Sequence, residues 1–516
     1  MQVLPILDLV ILIIYIVVIV VIGSYFGFKR RDSSYFTMAG GRLPFWAVGL
    51  SIFGTYLSSN TFIGVTGKAF GSNWNYFVFS LSLPVAAWIA ARFFVPFYRK
   101  SGFISAYEHM EYRFGPWARI YMVAGYLLTQ LARVGSIMFG VALVLQALLG
   151  VDLAFIILVM GLIVTLYTLL GGIEAVIWTD VLQSVVLSLG AVLVLIFIII
   201  DIPGGLNELI QEGYTNNKFS LGSLRIDFTA STFWVVLLYG IFINLNNFGI
   251  DQSFIQRYHT AKNEKDAGRS VWMSAKLYIP VSMLFFFIGT GLWVYYQAFP
   301  EYLIPVKERV IADQTGNLSP EPEMIRSYPV SEEEMGDRVL PEFMVTRLPD
   351  GFTGLLIAAL FAAAMSSIDT SLNSSATITW TDIYKRYLVP NASEKQSIRV
   401  LHLSTVIWGI SGTCVGLLLI GVKSILDAWW HLSGIFAGGM LGLFLLGLIS
   451  RKTSGHVALI AVIIGITIIA WMSFSSLIPE KYYFLKSHLH TNMIVVIGTM
   501  TIFLAGIIIS GIKALK

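Results

Sequence analysis

Apolar runs long enough to cross a bilayer recur thirteen times along this chain, and that recurrence leaves few folds open. A helix needs about 20 predominantly apolar residues to span hydrocarbon. Such stretches lie near 3–27, 45–69, 75–97, 120–148, 152–173, 179–201, 232–250, 271–298, 350–379, 398–422, 424–448, 454–474 and 488–512. In lipid every backbone N–H and C=O needs an internal partner, so runs of this length read as helices. Composition agrees: of 516 residues 56% are hydrophobic and 12% charged, against roughly a quarter charged in soluble domains. The expected fold class is an all-α polytopic membrane protein of about 13 transmembrane helices, with the lipid bilayer as its solvent.

The basic residues test that count, because cytoplasmic loops carry the excess of Lys and Arg. With the N-terminus outside and the C-terminus inside, inner loops counted out to 276 and 399 hold 21 basic residues and outer loops 10, Lys276 and Arg399 included although they fall just inside the stretches 271–298 and 398–422; Lys68, Arg92 and Arg133 remain within or at the edge of spans. The opposite orientation reverses the bias. The first stretch has no basic residue before it and Lys29, Arg30 and Arg31 just after, the reverse of a secretory signal, so it reads as a retained helix. A net charge of +4, with the bases scattered over short loops, gives no footprint for nucleic acid. The single cysteine, Cys414, excludes an intrachain disulfide and a thiolate metal cluster. The expected location is the plasma (inner) membrane.

Polar residues inside the apolar runs carry the functional information, since a charge at the bilayer centre costs at least about 2.5–3.5 kcal/mol. Arg133 lies mid-stretch in LLTQLARVGSIMF. A guanidinium fork suits a solute carboxylate and a structural acidic partner equally. Asp180 opens the sixth stretch in GGIEAVIWTDVLQ and, taken alone, reads as hydrated or as a helix cap. Asp369 sits deeper, among Ser366, Ser367, Thr370, Ser371, Asn373, Ser374, Ser375 and Thr377. So dense a run of hydroxyls either lets helices pack closely or lines a site for a hard cation. Two stretches look interrupted: the second at Gly54, Thr55, Ser58, Ser59, Asn60 and Thr61, the seventh at Gly240, Asn244, Asn246, Asn247, Gly249 and Asp251. They lie five spans apart. Interruptions at matching places in two halves point to inverted repeats around a midplane site, where unwound carbonyls hold Na+; two polar-seamed helices in a bundle are the alternative.

These residues bear a resemblance. TLYTLLGGIEAVIWTDVLQ at 165–183, FGIDQSFIQRY at 248–258, AAAMSSIDTSLNSSATITWTDIYKRY at 362–387 and the interrupted second stretch resemble the sodium:solute symporter family, which shares the leucine-transporter-like fold. The resemblance implies a 5+5 inverted repeat with one leading and two trailing helices. Its expected divisions are a leading helix and basic cytoplasmic loop at 1–44, a first repeat at 45–201, a second repeat at 202–448 containing the outer loop 299–349, and trailing helices at 449–516. It implies a first sodium site from the carbonyls of Gly54, Leu57 and Ala363 and the hydroxyls of Ser366 and Ser367. In the sialic acid branch a second sodium is expected at the positions of Asp180, Ser366, Asp369 and Thr370; Asp369 departs from that branch, where a serine stands. Substrate contacts are expected from Thr55, Ser58, Thr61, Arg133, Asn244 and Asn247. Sugar-carrying members match at Asn244 and Lys276 but not at Thr61 and Asn247, whereas Arg133 falls where sialic acid carriers place their carboxylate-binding arginine.

The expected function is Na+-coupled symport by alternating access, with an anionic sugar such as N-acetylneuraminate as cargo, Na+ as the coupling ion and no other cofactor. A sodium/sugar or sodium/carboxylate symporter of the same family is the alternative. An intramembrane enzyme finds no support: H-E-x-x-H, P-loop, G-x-S-x-G and dinucleotide motifs are all missing from the sequence, and His431 stands alone. A channel would lack saturable, Na+-dependent uptake.

Overall fold

The computed structural model describes residues 5–29, 32–58, 60–315, 321–421, 433–435, 437–475 and 478–514. Among them the chain is helical throughout, with one isolated bridge between Leu43 and Ala261. His431 and the Asn317–Ser319 sequon fall outside the described residues. Ten described helices are long and apolar enough to cross a membrane, and shorter apolar helices stand at Phe45–Tyr56 and Leu153–Leu169. A further apolar helix, Met440–Ile449, closes the eleventh stretch, whose first part is not described.

The helices that build the site are, in chain order, α1 (Ile6–Lys29), α2 (Phe45–Tyr56), α3 (Thr66–Gly71), α4 (Phe77–Ile89), α5 (Pro116–Leu149), α6 (Leu153–Asp201), α7 (Phe233–Ile250), α8 (Gln252–Thr260), α9 (Glu264–Ala298), α10 (Glu332–Arg347) and α11 (Phe352–Ile378). The core is organised on α11. From Thr353 to Ile378 every residue but Leu355 is buried, because α5, α6, α8 and α1 pack around it. Its Ala362, Ala363, Ala364, Ser366 and Ser367 are small enough for backbones to approach closely, the usual solution where lipid supplies no hydrophobic drive between helices. On the outside, α1 and α6 present Ile6, Ile14, Val21, Leu162, Leu189 and Ile200 as exposed apolar side chains, the surface that a bilayer covers. Gly172 divides α6 into two spans: it takes φ 59° and ψ −169°, and a methyl group there would stand 3.0 Å from the Phe36 carbonyl.

The interruption in the second stretch is present. α2 ends at Tyr56, Leu57 is extended at φ −89° and ψ 111°, and a π-turn over Asn60–Val65 leads into α3. The seventh stretch departs from expectation. Gly240, Asn244, Asn246, Asn247 and Gly249 all lie within the continuous α7, and the chain breaks only at Asp251. The reason is local. Asn244 finds a partner in Ser82 at 3.0 Å, so it does not compete for backbone groups. The Asp251 carboxylate accepts the Ser253 N–H at 2.8 Å and caps α8, which offers the backbone an alternative to the α7 ladder.

The segment 299–349 contributes α10, which packs along α3. At their crossing a methyl added to Gly67 would stand 2.6 Å from the Gly336 carbonyl carbon, and one on Gly336 2.6 Å from the Gly67 oxygen. Any other residue at either position would force the two helices apart.

Candidate functional site

Halfway along the bundle, the end of α2 meets the hydroxyl run of α11. α2 stops beside Ser366: a methyl at Gly54 would stand 3.2 Å from Ser366 Oγ and 2.7 Å from Ser184 Oγ, and the Gly54 carbonyl accepts the Leu57 N–H at 3.1 Å while keeping a second lone pair. Gly54 and Leu57 on one side and Ala363, Ser366 and Ser367 on the other are thus neighbouring segments, all buried. Ser367 Oγ is buried without a hydrogen-bond partner. An unpartnered buried hydroxyl costs about 1–3 kcal/mol, and coordinating a cation would satisfy it.

Behind that position lies a fully buried ionic knot. The Asp180 carboxylate accepts the Ser366 hydroxyl at 2.5 Å, the Ser51 hydroxyl and the Arg257 guanidinium at 2.9 Å. Arg257 also donates to Ser51 Oγ at 2.7 Å, to the Ser253 carbonyl at 2.7 Å and to Thr370 Oγ1 at 2.7 Å. Arg257 and Asp180 are both 0% exposed. Reading Asp180 as hydrated or as a cap is therefore corrected: it is the anionic half of an interior ion pair. The structure brings Asp180, Ser366, Asp369 and Thr370 together, but the cation among them is a guanidinium, which already takes up Asp180 and Thr370. Asp369 stands aside, accepting the Tyr167 hydroxyl at 2.8 Å through one oxygen, while its other oxygen has no partner.

Beyond the α2 break lies a small cavity of about 100 Å³. Thr55, Ser58, Thr61, Arg133 and Asn247 line it. Arg133 donates one terminal nitrogen to the Thr55 carbonyl, and among the described residues it has no carboxylate within ion-pairing distance. Asn244 does not reach the cavity, since its amide is spent on Ser82. Lys276 is also elsewhere, exposed on the outer face of α9. The cavity floor is aromatic: Tyr56 packs edge-on against Phe248 and Phe254, with ring centres 5.7 and 5.1 Å away, and against Tyr278 at 5.3 Å.

Sequence reasoning missed Arg257 and Gln130, and named Asp251 only as part of the interruption. Arg257 counts in the sequence as one more loop base, yet Gln252, Ser253, Gln256 and Arg257 fall at helical spacing on one face, a pattern that marks a polar face turned inward. Asp251 and Gln130 line the cavity, joined by a 3.3 Å hydrogen bond. No signal singles out Gln130.

Comparison with known proteins places this geometry. The profile of the sodium:solute symporter family matches residues 35–465. The sodium/sialic acid symporter SiaT of Proteus mirabilis (strain HI4320) is 33% identical over 483 residues, covering 93% of this chain and 91% of the relative. The sodium/glucose cotransporter of Vibrio parahaemolyticus is 26% identical over 476 residues, or 90% of this chain and 83% of the relative. Among solved structures, a Na+-coupled sialic acid symporter in a substrate-bound outward-open state superposes with a TM-score of 0.85 at 31% identity, covering 98% of both chains. Mhp1, a nucleobase-cation-symport-1 family transporter, superposes at 0.53 with 14% identity over 92% of this chain and 93% of its own, a likeness of fold alone.

Proposed function

The chain belongs to the sodium:solute symporter family, a multi-pass secondary transporter working by alternating access, and from that premise we propose that it carries N-acetylneuraminate or a related carboxylated sugar together with Na+. The observation that carries the reading is Arg133. A guanidinium in an internal cavity, bonded to one carbonyl and facing the Asp251 carboxylate from beyond ion-pairing distance, keeps its fork open to a second anion. A solute carboxylate pairs with it through two parallel hydrogen bonds, while Ser58, Thr61 and Asn247 offer partners for sugar hydroxyls. Thr55 acts through its carbonyl, which fixes the arginine. The positions that resemble sugar carriers, Asn244 and Lys276, lie off the cavity, which weighs against a neutral sugar.

We assign the coupling ion to the oxygens of Gly54, Leu57, Ala363, Ser366 and Ser367. Na+ entering there ties the α2 break to α11, and the same break frames the solute cavity through Thr55 and Ser58, so ion and cargo stabilise one arrangement. Each elementary charge moved down 100 mV contributes about 2.3 kcal/mol, enough to accumulate a solute more than tenfold. We place the second sodium of the sialic acid branch at Asp369 rather than at Asp180, since Asp369 alone of the four expected side chains keeps a free oxygen. The thirteen-span arrangement, with the N-terminus outside, the C-terminus inside and repeats at 45–201 and 202–448, accords with the interruptions at Leu57 and Asp251, each in the first helix of its repeat.

Uptake of radiolabelled N-acetylneuraminate into proteoliposomes, with and without an inward Na+ gradient, tests the reading. Arg133→Ala is expected to abolish gradient-driven uptake while melting like the parent protein, and Ser366→Ala to raise the Na+ concentration for half-maximal uptake several-fold. Full uptake by Arg133→Ala would remove the reason for a carboxylated cargo.

A further inference from the structure

On its outer surface, at the end where α2 and α9 begin, the bundle carries a groove of ≈ 1200 Å³ lined by Phe45 of α2, Ala91 from the turn after α4, and about the first four turns of α9. Its wall on α9 is built from Lys265, Arg269, Trp272 and Lys276. At 100° per residue these four fall within a stripe about 60° wide, and Lys265 and Lys276 are about 17 Å apart along the axis. One helix face thus runs cation, cation, indole, cation from the rim of the bundle into its apolar belt. Lys276 lies five residues inside the apolar stretch 271–298 and is exposed there. Among the described residues neither Lys265 nor Lys276 has a carboxylate within 4.0 Å. The acids nearby are engaged: Glu264 faces Lys100 at 3.9 Å, and Asp266 faces Arg269 at 3.4 Å. Arg269 also lies over the Phe45 ring, 5.8 Å from its centre. Phe45, Trp46 and Phe93, each more than a third exposed at 37%, 40% and 52%, ring the same edge as an interfacial aromatic belt does.

We propose that this groove is a binding site for one anionic phospholipid of the leaflet on that side, the cytoplasmic one in the orientation assigned above. Its phosphate is held between Lys276 and Arg269, with Lys265 at the outer rim of the headgroup, and its acyl chains lie along Trp272, Met273 and Leu277. The chemistry follows from placement. An unpaired ammonium at that depth reaches toward the interface, and a lipid phosphate is the anion present there at high local concentration. Basic pockets between spans on the cytoplasmic side recognise such headgroups. The inference requires only that the chain sits in a bilayer, and it stands whichever solute the central cavity carries.

The test uses the full-length protein purified with anionic phosphatidylglycerol and zwitterionic phosphatidylcholine at equal mole fraction, read by native mass spectrometry. The parent protein is expected to retain the anionic lipid at least about tenfold over the zwitterionic one. Lys265→Gln/Arg269→Gln/Lys276→Gln is expected to bring the ratio close to one. The single variant Lys276→Gln, which touches no packed residue, is expected to lose most of the preference while keeping Na+-driven uptake in phosphatidylcholine vesicles. Unchanged retention in the triple variant overturns the proposal. So does displacement of the lipid by an equal concentration of glycerol 1-phosphate, which would mark an ion site rather than a lipid site.

Discussion

Replacing Arg257 with methionine offers the sharpest test of how this interior is held together. The guanidinium is the one cation bonded to Asp180, both groups are 0% exposed, and the same side chain ties Ser51, Ser253 and Thr370. Arg257→Met keeps the length and the apolar stem but leaves Asp180 buried with two hydroxyl donors, Ser51 and Ser366. Removing one partner of a buried pair costs about 3–5 kcal/mol, because the other charge stays uncompensated. That is two to nearly four orders of magnitude in the folding equilibrium. Asp180→Asn in the Arg257→Met background removes the stranded charge and keeps an acceptor for Ser366, so the double variant is expected to recover about 2 kcal/mol or more relative to the sum of the single changes. Denaturant titration of the four proteins in mixed micelles reads this coupling. A coupling energy below about 0.5 kcal/mol would show that the pair is a bystander and refute the argument.

Three further outcomes follow from the geometry. Gly54→Ala puts a methyl 2.7 Å from Ser184 Oγ and 3.2 Å from Ser366 Oγ; pushing Ser366 away is expected to raise the Na+ concentration for half-maximal uptake at least about tenfold, roughly 1.4 kcal/mol, and an unchanged value would detach Gly54 from the ion. Glu111, on the short helix Glu108–Phe114, accepts Arg119 at 2.7 Å and Arg386 at 2.6 Å. Burial pushes its carboxyl up, yet the Arg386 and Arg119 guanidiniums hold it below the usual range. Glu111→Gln loosens α5 from the chain end of α11 by about 1–2 kcal/mol, so a cysteine placed at Asn247 in a Cys414→Ser background should label from that side roughly 5- to 30-fold faster; equal rates would dismiss the network as a latch. His259 is pushed from 6.5 down to about 4 by burial and by Arg99. Its neutral form is the folded one, so stability is whole above pH 6.5 and declines as pH falls toward 4, by up to about 3 kcal/mol. Melting curves across that window should flatten in His259→Gln, and a parallel decline in both proteins would assign the acid sensitivity elsewhere.

Where the helices run was legible, because length and apolarity alone satisfy the bilayer, and the described apolar helices stand where the hydropathy places them. The α2 break was legible as well: Gly54, Thr55, Ser58 and Thr61 crowd about two turns with small and polar residues that no apolar environment would choose. The break near α7 falls at Asp251, the last of the residues expected to interrupt it, since Asn244 and Gly249 carry the same composition yet remain helical. Facing directions were the least legible. In helices apolar on every side, no periodicity tells core from lipid, so Asn244 and Lys276 could be named but not aimed. Arg257 stayed hidden for a related reason. A base just after a span counts toward orientation by default, and only the tertiary meeting of α8 with α6 and α11 turns it inward.

The crossing of Gly67 with Gly336 carries a consequence for the segment 299–349. Two backbones pressed together without intervening side chains leave no room for a wedge between them, so 66–71 and 332–347 pack as one layer. The segment 332–347 is then built into the bundle and is not a loose awning over it.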